Sequence, residues 1–180
     1  MENFRKSLKS VCVASALLFI SCQIYGQSER SLYLGLGTGF DYGGFGGKLE
    51  YLPTKNFGIL GGLGYNLSSV GYNVGATYKF MPDKKVSPNL MLMYGYNAVL
   101  KVEGAPEYDM TSFGVTIGGN LDIMVGDKGN KWSIGLFVPV RSKKFMDNYD
   151  VVKNHPNIEM KNDLMPIAIS IGYNFLINSQ

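Results

Sequence analysis

Catalysis needs a nucleophile, a base or a set of metal ligands, and this chain of 180 residues offers few of them. His155 is the only histidine; Asp147, Asp150 and Glu159 are close to it in sequence, with Ser142 upstream and Pro156 next door. That spacing fits no hydrolytic or acyl-transfer motif, and it reads as a solvated histidine in a loop. The two cysteines, Cys12 and Cys22, both lie near the start. One histidine and no later cysteine make no metal set, and no cofactor is expected. The Gly-x-Gly runs near Gly35 and Gly62 lie inside strand-like stretches. A phosphate loop joins a strand to a helix, so these are not phosphate loops. What remains is a set of charged residues spaced among small ones, Lys48, Glu50, Lys79 and Asp122, and their meaning depends on the elements that carry them.

The clearest of those elements is Phe57–Phe80. Phe57, Ile59, Leu63, Tyr65 and Leu67 share one parity with Gly61, while Gly58, Gly62, Gly64 and Asn66 hold the other, broken only by Leu60. After Ser68-Ser69 the alternation resumes, with Val70, Tyr72, Val74, Ala76, Tyr78 and Phe80 against Gly71, Asn73, Gly75, Thr77 and Lys79. A period of two is the signature of a strand, because successive side chains point to opposite faces. The apolar face begins and ends in aromatics, the order expected of a strand that crosses a bilayer.

Residues 1–26 form an expected cleavable signal peptide. Arg5, Lys6 and Lys9 precede an apolar run from Val11 to Ile20, too short for a membrane-spanning helix of about 20 residues but suited to an export signal. Ile24 and Gly26 suit the positions before the cut. The alternative is a lipoprotein signal, Phe19-Ile20-Ser21-Cys22, with Cys22 acylated. Removing the signal takes away three of the 17 basic residues and one of the 14 acidic ones, which leaves a net charge of +1. No nucleic acid or other polyanion is implied as a partner.

The mature segment, 27–180, reads as eight strands: Leu32–Phe40, Phe45–Leu52, the pair within Phe57–Phe80, Leu90–Leu100, Met110–Val125, Trp132–Val140 and Leu164–Ile177. Short links join them, which predicts an all-β, antiparallel up-and-down transmembrane barrel. An even strand count puts both termini at one end. The links 53–56, 81–88 and 126–130 then share that end. The links 41–44, 67–69, 101–109 and 141–163 share the other. Outward aromatics sort into two belts: Tyr51, Phe57, Tyr78, Phe80, Trp132, Tyr173 and Phe175 near the termini, and Phe40, Phe45, Tyr65, Tyr72 and Phe113 opposite. Such belts match headgroup level. The inward face is mostly Gly, Ser, Thr and Asn. Lys48, Glu50, Lys79 and Asp122 fall in its terminal half, read as a self-neutralising plug rather than an ion path, since eight strands leave little lumen.

This pattern resembles the small outer-membrane β-barrel proteins of Gram-negative bacteria, in particular the OmpA- and OmpX-like class. The resemblance implies export to the cell outer membrane, contact with its lipid and handling by the barrel insertion machinery. Ser170, Gly172, Phe175 and Ile177 match the family's C-terminal insertion signal, although the chain continues through Asn178-Ser179-Gln180. A non-enzymatic structural or surface-interaction role is expected. The long link 141–163 is its contact loop, with Phe145, Met146, Tyr149, Val151, Val152 and His155 as the residues to meet an unknown surface partner. The alternatives are a lipid-modifying enzyme using His155, because barrels of this class that act on lipid A use histidine with serine and an acid, and a lipocalin-like periplasmic carrier with its ligand inside.

Overall fold

The computed structural model describes residues 30–102, 109–155 and 164–179. The expected signal peptide, with Cys12 and Cys22, lies outside them. Eight antiparallel strands close into one barrel in sequence order: β1 Ser31–Gly39, β2 Gly44–Leu52, β3 Phe57–Tyr65, β4 Val70–Lys79, β5 Val86–Leu100, β6 Met110–Val125, β7 Asn130–Pro139 and β8 Ala168–Ser179. Closure is made by β1 against β8, from Ser31 opposite Ser179 to Thr38 opposite Ile171. The end that holds Ser31 and Ser179 is called the terminal end here, and the other the distal end. No helix among the described residues is long and apolar enough to cross a membrane.

The links form where the sequence has turn chemistry. At the β2–β3 link Thr54 Oγ1 accepts from Phe57 N at 3.0 Å, and Asn56 Nδ2 donates to Lys79 O at 2.8 Å. In the β3–β4 turn Asn66 Oδ1 accepts from Ser68 N and Ser69 N, an Asx turn. The β6–β7 turn places Gly126 and Gly129 at φ 65° and 74°, angles that an L side chain rarely adopts.

Alternation sorts the two faces as read, with Leu60 on the inward face among the glycines. Leu34, Leu36, Leu63, Val74, Leu92, Ile117, Leu136 and Ile169 all point outward and are exposed, and nearly every outward aromatic is as well. Near the terminal end Tyr78 packs on Phe80, and Tyr173 packs on both Trp132 and Phe175, at centroid distances of 4.9 to 5.4 Å. Tyr72 and Phe113 pair at 5.3 Å toward the distal end.

Several strand bounds, and one register, differ from the sequence reading. Strand β5 starts at Val86 and carries Pro88 in its ladder, opposite Leu121. Strand β7 starts at Asn130, two residues early, and β8 starts at Ala168, four residues late. A bulge between Tyr96 and Ala98 shifts the β5 register, which adds a residue and reverses parity. Ala98 and Leu100, which unbroken alternation from Leu90 and Leu92 would send outward, therefore turn inward and are buried, and Tyr96 packs against the interior cluster.

The largest difference is at the β1–β2 turn. Phe40, expected in the distal aromatic belt, and the turn after it do not continue outward. Phe40–Tyr42 forms a single 3₁₀ turn whose three residues are all buried. It is bracketed by Gly39, Gly43 and Gly44 at φ 130°, 71° and 108°, and those angles let the chain leave β1, enter the lumen and return to β2.

Candidate functional site

The inward glycines make a groove for that turn. A Cβ on Gly62 would lie 2.2 Å from Asp41 O, one on Gly37 2.9 Å from the Tyr42 ring, and one on Gly172 2.3 Å from it. Tyr42 and Asp41 are fully buried as a result. The run of small residues on one face is the space into which the β1–β2 turn folds.

Polar groups then connect this plug to the wall. Asp41 accepts from Lys48 Nζ at 2.6 Å and from Ser170 Oγ, with Asn120 Nδ2 at 3.5 Å. Tyr42 OH donates to Asn174 Oδ1 at 3.4 Å, and the Lys48 ammonium lies 4.4 Å from the Tyr42 ring centroid. Asn73 Nδ2 donates to Phe40 O and to Tyr96 O, both at 2.8 Å. Above the turn, Phe40 meets Tyr96 edge-on at 5.2 Å and clusters with Leu60, Met91, Met93 and Phe137.

Toward the terminal end lies a second ionic layer. Lys131 Nζ sits 2.5 Å from Glu50 Oε2 and 2.7 Å from Asp122 Oδ2, with the Tyr33 ring centroid at 4.2 Å. Lys79 Nζ sits 2.9 Å from Asp122 Oδ2 and 3.8 Å from Glu50 Oε2. Asp122 also accepts from Ser133 Oγ at 2.5 Å, and Ser133 accepts from Asn174 Nδ2 at 2.9 Å. Asn174 thus joins this layer to the Tyr42 layer. Three lysines, Lys48, Lys79 and Lys131, face three carboxylates, Asp41, Glu50 and Asp122, and all six are at most 6% exposed. Buried charge is tolerated when it is paired and hydrogen-bonded. Below this layer the terminal mouth widens into a cavity of about 190 Å³, lined by Tyr33, Lys79, Ser87, Asp122 and Lys131 among others.

All four charges singled out from sequence are therefore lumenal. Glu50, Lys79 and Asp122 come together, while Lys48 pairs one layer away with Asp41. Sequence reasoning missed Lys131, which fell between the turn 126–130 and the strand from Trp132, and Asp41, read as part of a turn. The signal for Lys131 was available: carrying the β7 alternation one residue back from Trp132 places it on the inward parity with Ser133 and Gly135. Asp41 had no such signal, because its place depends on six glycines from four other parts of the chain.

The contact segment also folds differently from its reading as irregular loop. Lys143–Lys153 is an α-helix, α1. Ser142 caps it, its side chain accepting from Phe145 N at 3.3 Å. Phe145, Tyr149 and Val152 recur at one helical face and are buried with Ala98, Leu100 and Val102, with Met146, Met110 and Leu164 packed against them. Ala98 and Leu100 pair with Ser112 and Met110 on β6, so α1 leans on the inner side of the long β5–β6 hairpin at the distal end. Most of the expected apolar side thus faces inward; Val151 stays exposed and His155 lies just past the helix, half-buried. Glu159 and the rest of 156–163 lie outside the described residues. Ser170, Gly172, Phe175 and Ile177 all lie on β8: the first two face the lumen, where Ser170 binds Asp41 and Gly172 admits Tyr42, and the last two face outward. Among the described residues no cluster of His, Cys, Asp and Glu could hold a metal ion.

Comparison with protein families, with curated proteins and with solved structures finds no match for this chain. Its description as an eight-stranded, antiparallel, up-and-down closed barrel stands on the strand order and register alone.

Proposed function

We propose that this chain is a non-enzymatic outer-membrane β-barrel protein, exported by its N-terminal segment, embedded in lipid by its outer face and closed to ions by its lumen. The observation that carries this reading is the inversion of the two faces. Apolar side chains on all eight strands are exposed outward, among them Leu36, Phe45, Leu63, Val74, Tyr94, Ile117, Leu136 and Ile169, while six charged groups are buried inside. A water-soluble barrel has the opposite arrangement. A band of apolar side chains between aromatic belts suits a bilayer. The lumen, filled by Phe40–Tyr42 and two ionic layers, supports a structural or surface-interaction role over conduction. The insertion machinery and outer-membrane lipid are its proposed partners, with the distal links toward the surroundings.

Two features favour this reading over the alternatives. A carrier needs an internal ligand space, and here side chains of the plug take up the middle of the barrel. Ser142, the serine nearest His155 in sequence, is engaged as the cap of α1. Membrane fractionation with a heat-modifiability gel tests the proposal: the protein is expected in the outer-membrane fraction and shifts mobility on boiling, whereas an unshifted band in the aqueous fraction refutes it. Val74→Arg, on the lipid face, is expected to lower the folding free energy in lipid by about 2–4 kcal/mol.

A further inference from the structure

Between the ionic layer and the terminal opening the inward face turns apolar. Leu52, Met124 and Leu176 continue the inward parity of Glu50, Asp122 and Asn174 by one step. With Pro82 they line the terminal cavity of about 190 Å³, whose floor holds Tyr33, Lys79 and Lys131. Leu52 is buried, but Met124 and Leu176 are only half-buried. An apolar collar thus stands next to solvent with charges behind it, the reverse of what solvation alone favours.

The floor is uneven in charge. Lys131 Nζ has Glu50 at 2.5 Å and Asp122 at 2.7 Å, whereas Lys79 Nζ has Asp122 at 2.9 Å and Glu50 only at 3.8 Å. Both oxygens of Asp122 are engaged: Lys79 and Lys131 donate to Oδ2, and Ser133 Oγ donates to Oδ1. An ammonium carries three N–H donors, and Lys79 makes one hydrogen bond among the described residues. The unused capacity of the charged floor is therefore to donate, and it calls for an acceptor. The rim adds a field of the same sign. Among the described residues Arg30, Lys55, Lys84, Lys85 and Lys128 outnumber Asp83 and Asp127 there. A cleft lined mainly by one sign of charge concentrates ligands of the other. As to size, a cavity of about 150 Å³ holds a benzene ring, so this one takes a single ring or a short chain with a head group.

We propose that the terminal mouth binds a small amphiphilic carboxylate, with its anionic head on Lys79 and its apolar body in the collar of Leu52, Met124 and Leu176. A bare anion gains nothing from the collar, and a hydrocarbon gains nothing from the ammonium. Only a molecule with both parts uses both. The site ends at the ionic layer, so the lumen beyond it stays closed, and binding does not depend on the outer-membrane reading.

The test uses the full-length barrel folded in uncharged detergent micelles and followed by amide NMR shifts during titration. Benzoate and hexanoate are the probes, the same head on a ring and on a chain. Benzyl alcohol supplies the body alone and inorganic phosphate an anionic head alone. Saturable shifts at Ser87 and Leu176 are expected with at least one carboxylate, at least tenfold tighter than with either control. No saturable shift, or an equal response to benzyl alcohol or to phosphate, overturns the proposal. Lys79→Gln is expected to weaken carboxylate binding at least tenfold, and unchanged affinity overturns the role of Lys79 and the proposal with it. Should that variant not fold, Met124→Trp decides, because Met124 lies in the half-buried collar outside the ionic layer: it fills the cavity and is expected to abolish binding, whereas binding retained overturns the proposal.

Discussion

The two ends of the lumen are closed by opposite means. At the terminal end Lys79 and Lys131 hold Glu50 and Asp122 in a compact ionic layer. At the distal end Phe145, Tyr149 and Val152 of one amphipathic helix cover Ala98, Leu100 and Val102. Both fill space, but they fail differently. An ionic layer is all-or-none: removing one partner leaves the other charge buried, which costs far more than the pair contributes. An apolar lid loses contacts one at a time, and a short helix held mainly by apolar packing can open while the sheet stays intact. The terminal end is thus built as part of the barrel, and the distal end as a separate, weaker unit.

The sharpest way to break this contrast is to remove the hub of the ionic layer. Lys131→Ala is expected to cost about 3–5 kcal/mol in a urea titration of the folded barrel, because it leaves two buried carboxylates facing Lys79 alone. A double change, Asp41→Asn with Lys48→Met, should cost clearly less than Asp41→Asn alone, since it removes both charges of the neighbouring pair together; equal costs would show that this pair is not coupled. Gly172→Ala places a methyl against the Tyr42 ring, and overpacking of that kind costs about 1–3 kcal/mol. It should speed release of the lumenal turn without changing the outer face, as read by tyrosine fluorescence during unfolding. The smallest effect belongs to the lid. Ser142→Ala removes the helix cap and should cost about 1 kcal/mol, confined to α1: its amides should exchange faster by hydrogen exchange while those of β7 do not change. A global loss of protection would show the two ends to be one cooperative unit.

Much of the architecture was legible because barrel strands write both faces into every other residue. Val70–Lys79 alternates outward Val70, Tyr72, Val74 and Tyr78 with inward Gly71, Asn73, Thr77 and Lys79, and each lands where its parity sends it. The same rule placed Glu50, Lys79 and Asp122 inside. Met110–Val125 matched in both bounds, since turn residues bracket it. The misread residues are those where parity is broken or suspended. The bulge at Asn97 reverses it for Ala98 and Leu100, and no local residue announces which position is doubled.

Sequence by itself determined a closed meander of eight amphipathic strands, its inside and outside, and the sign of most lumenal charges, because all of these follow from a period of two and from turn residues next to it. Only tertiary structure decided how the lumen is filled. Phe40 is as apolar as any belt residue, and Asp41-Tyr42-Gly43-Gly44 is ordinary turn sequence. Their descent into the barrel depends on glycines at 35, 37, 62, 64, 71 and 172, brought together only when the sheet closes. Likewise Lys143–Lys153 is a helix with its apolar face inward because the β5–β6 hairpin, lengthened and reversed by its bulge, presents Ala98, Leu100 and Val102 to it. A strand carries its own pattern; the filling of a barrel depends on the space left by all eight.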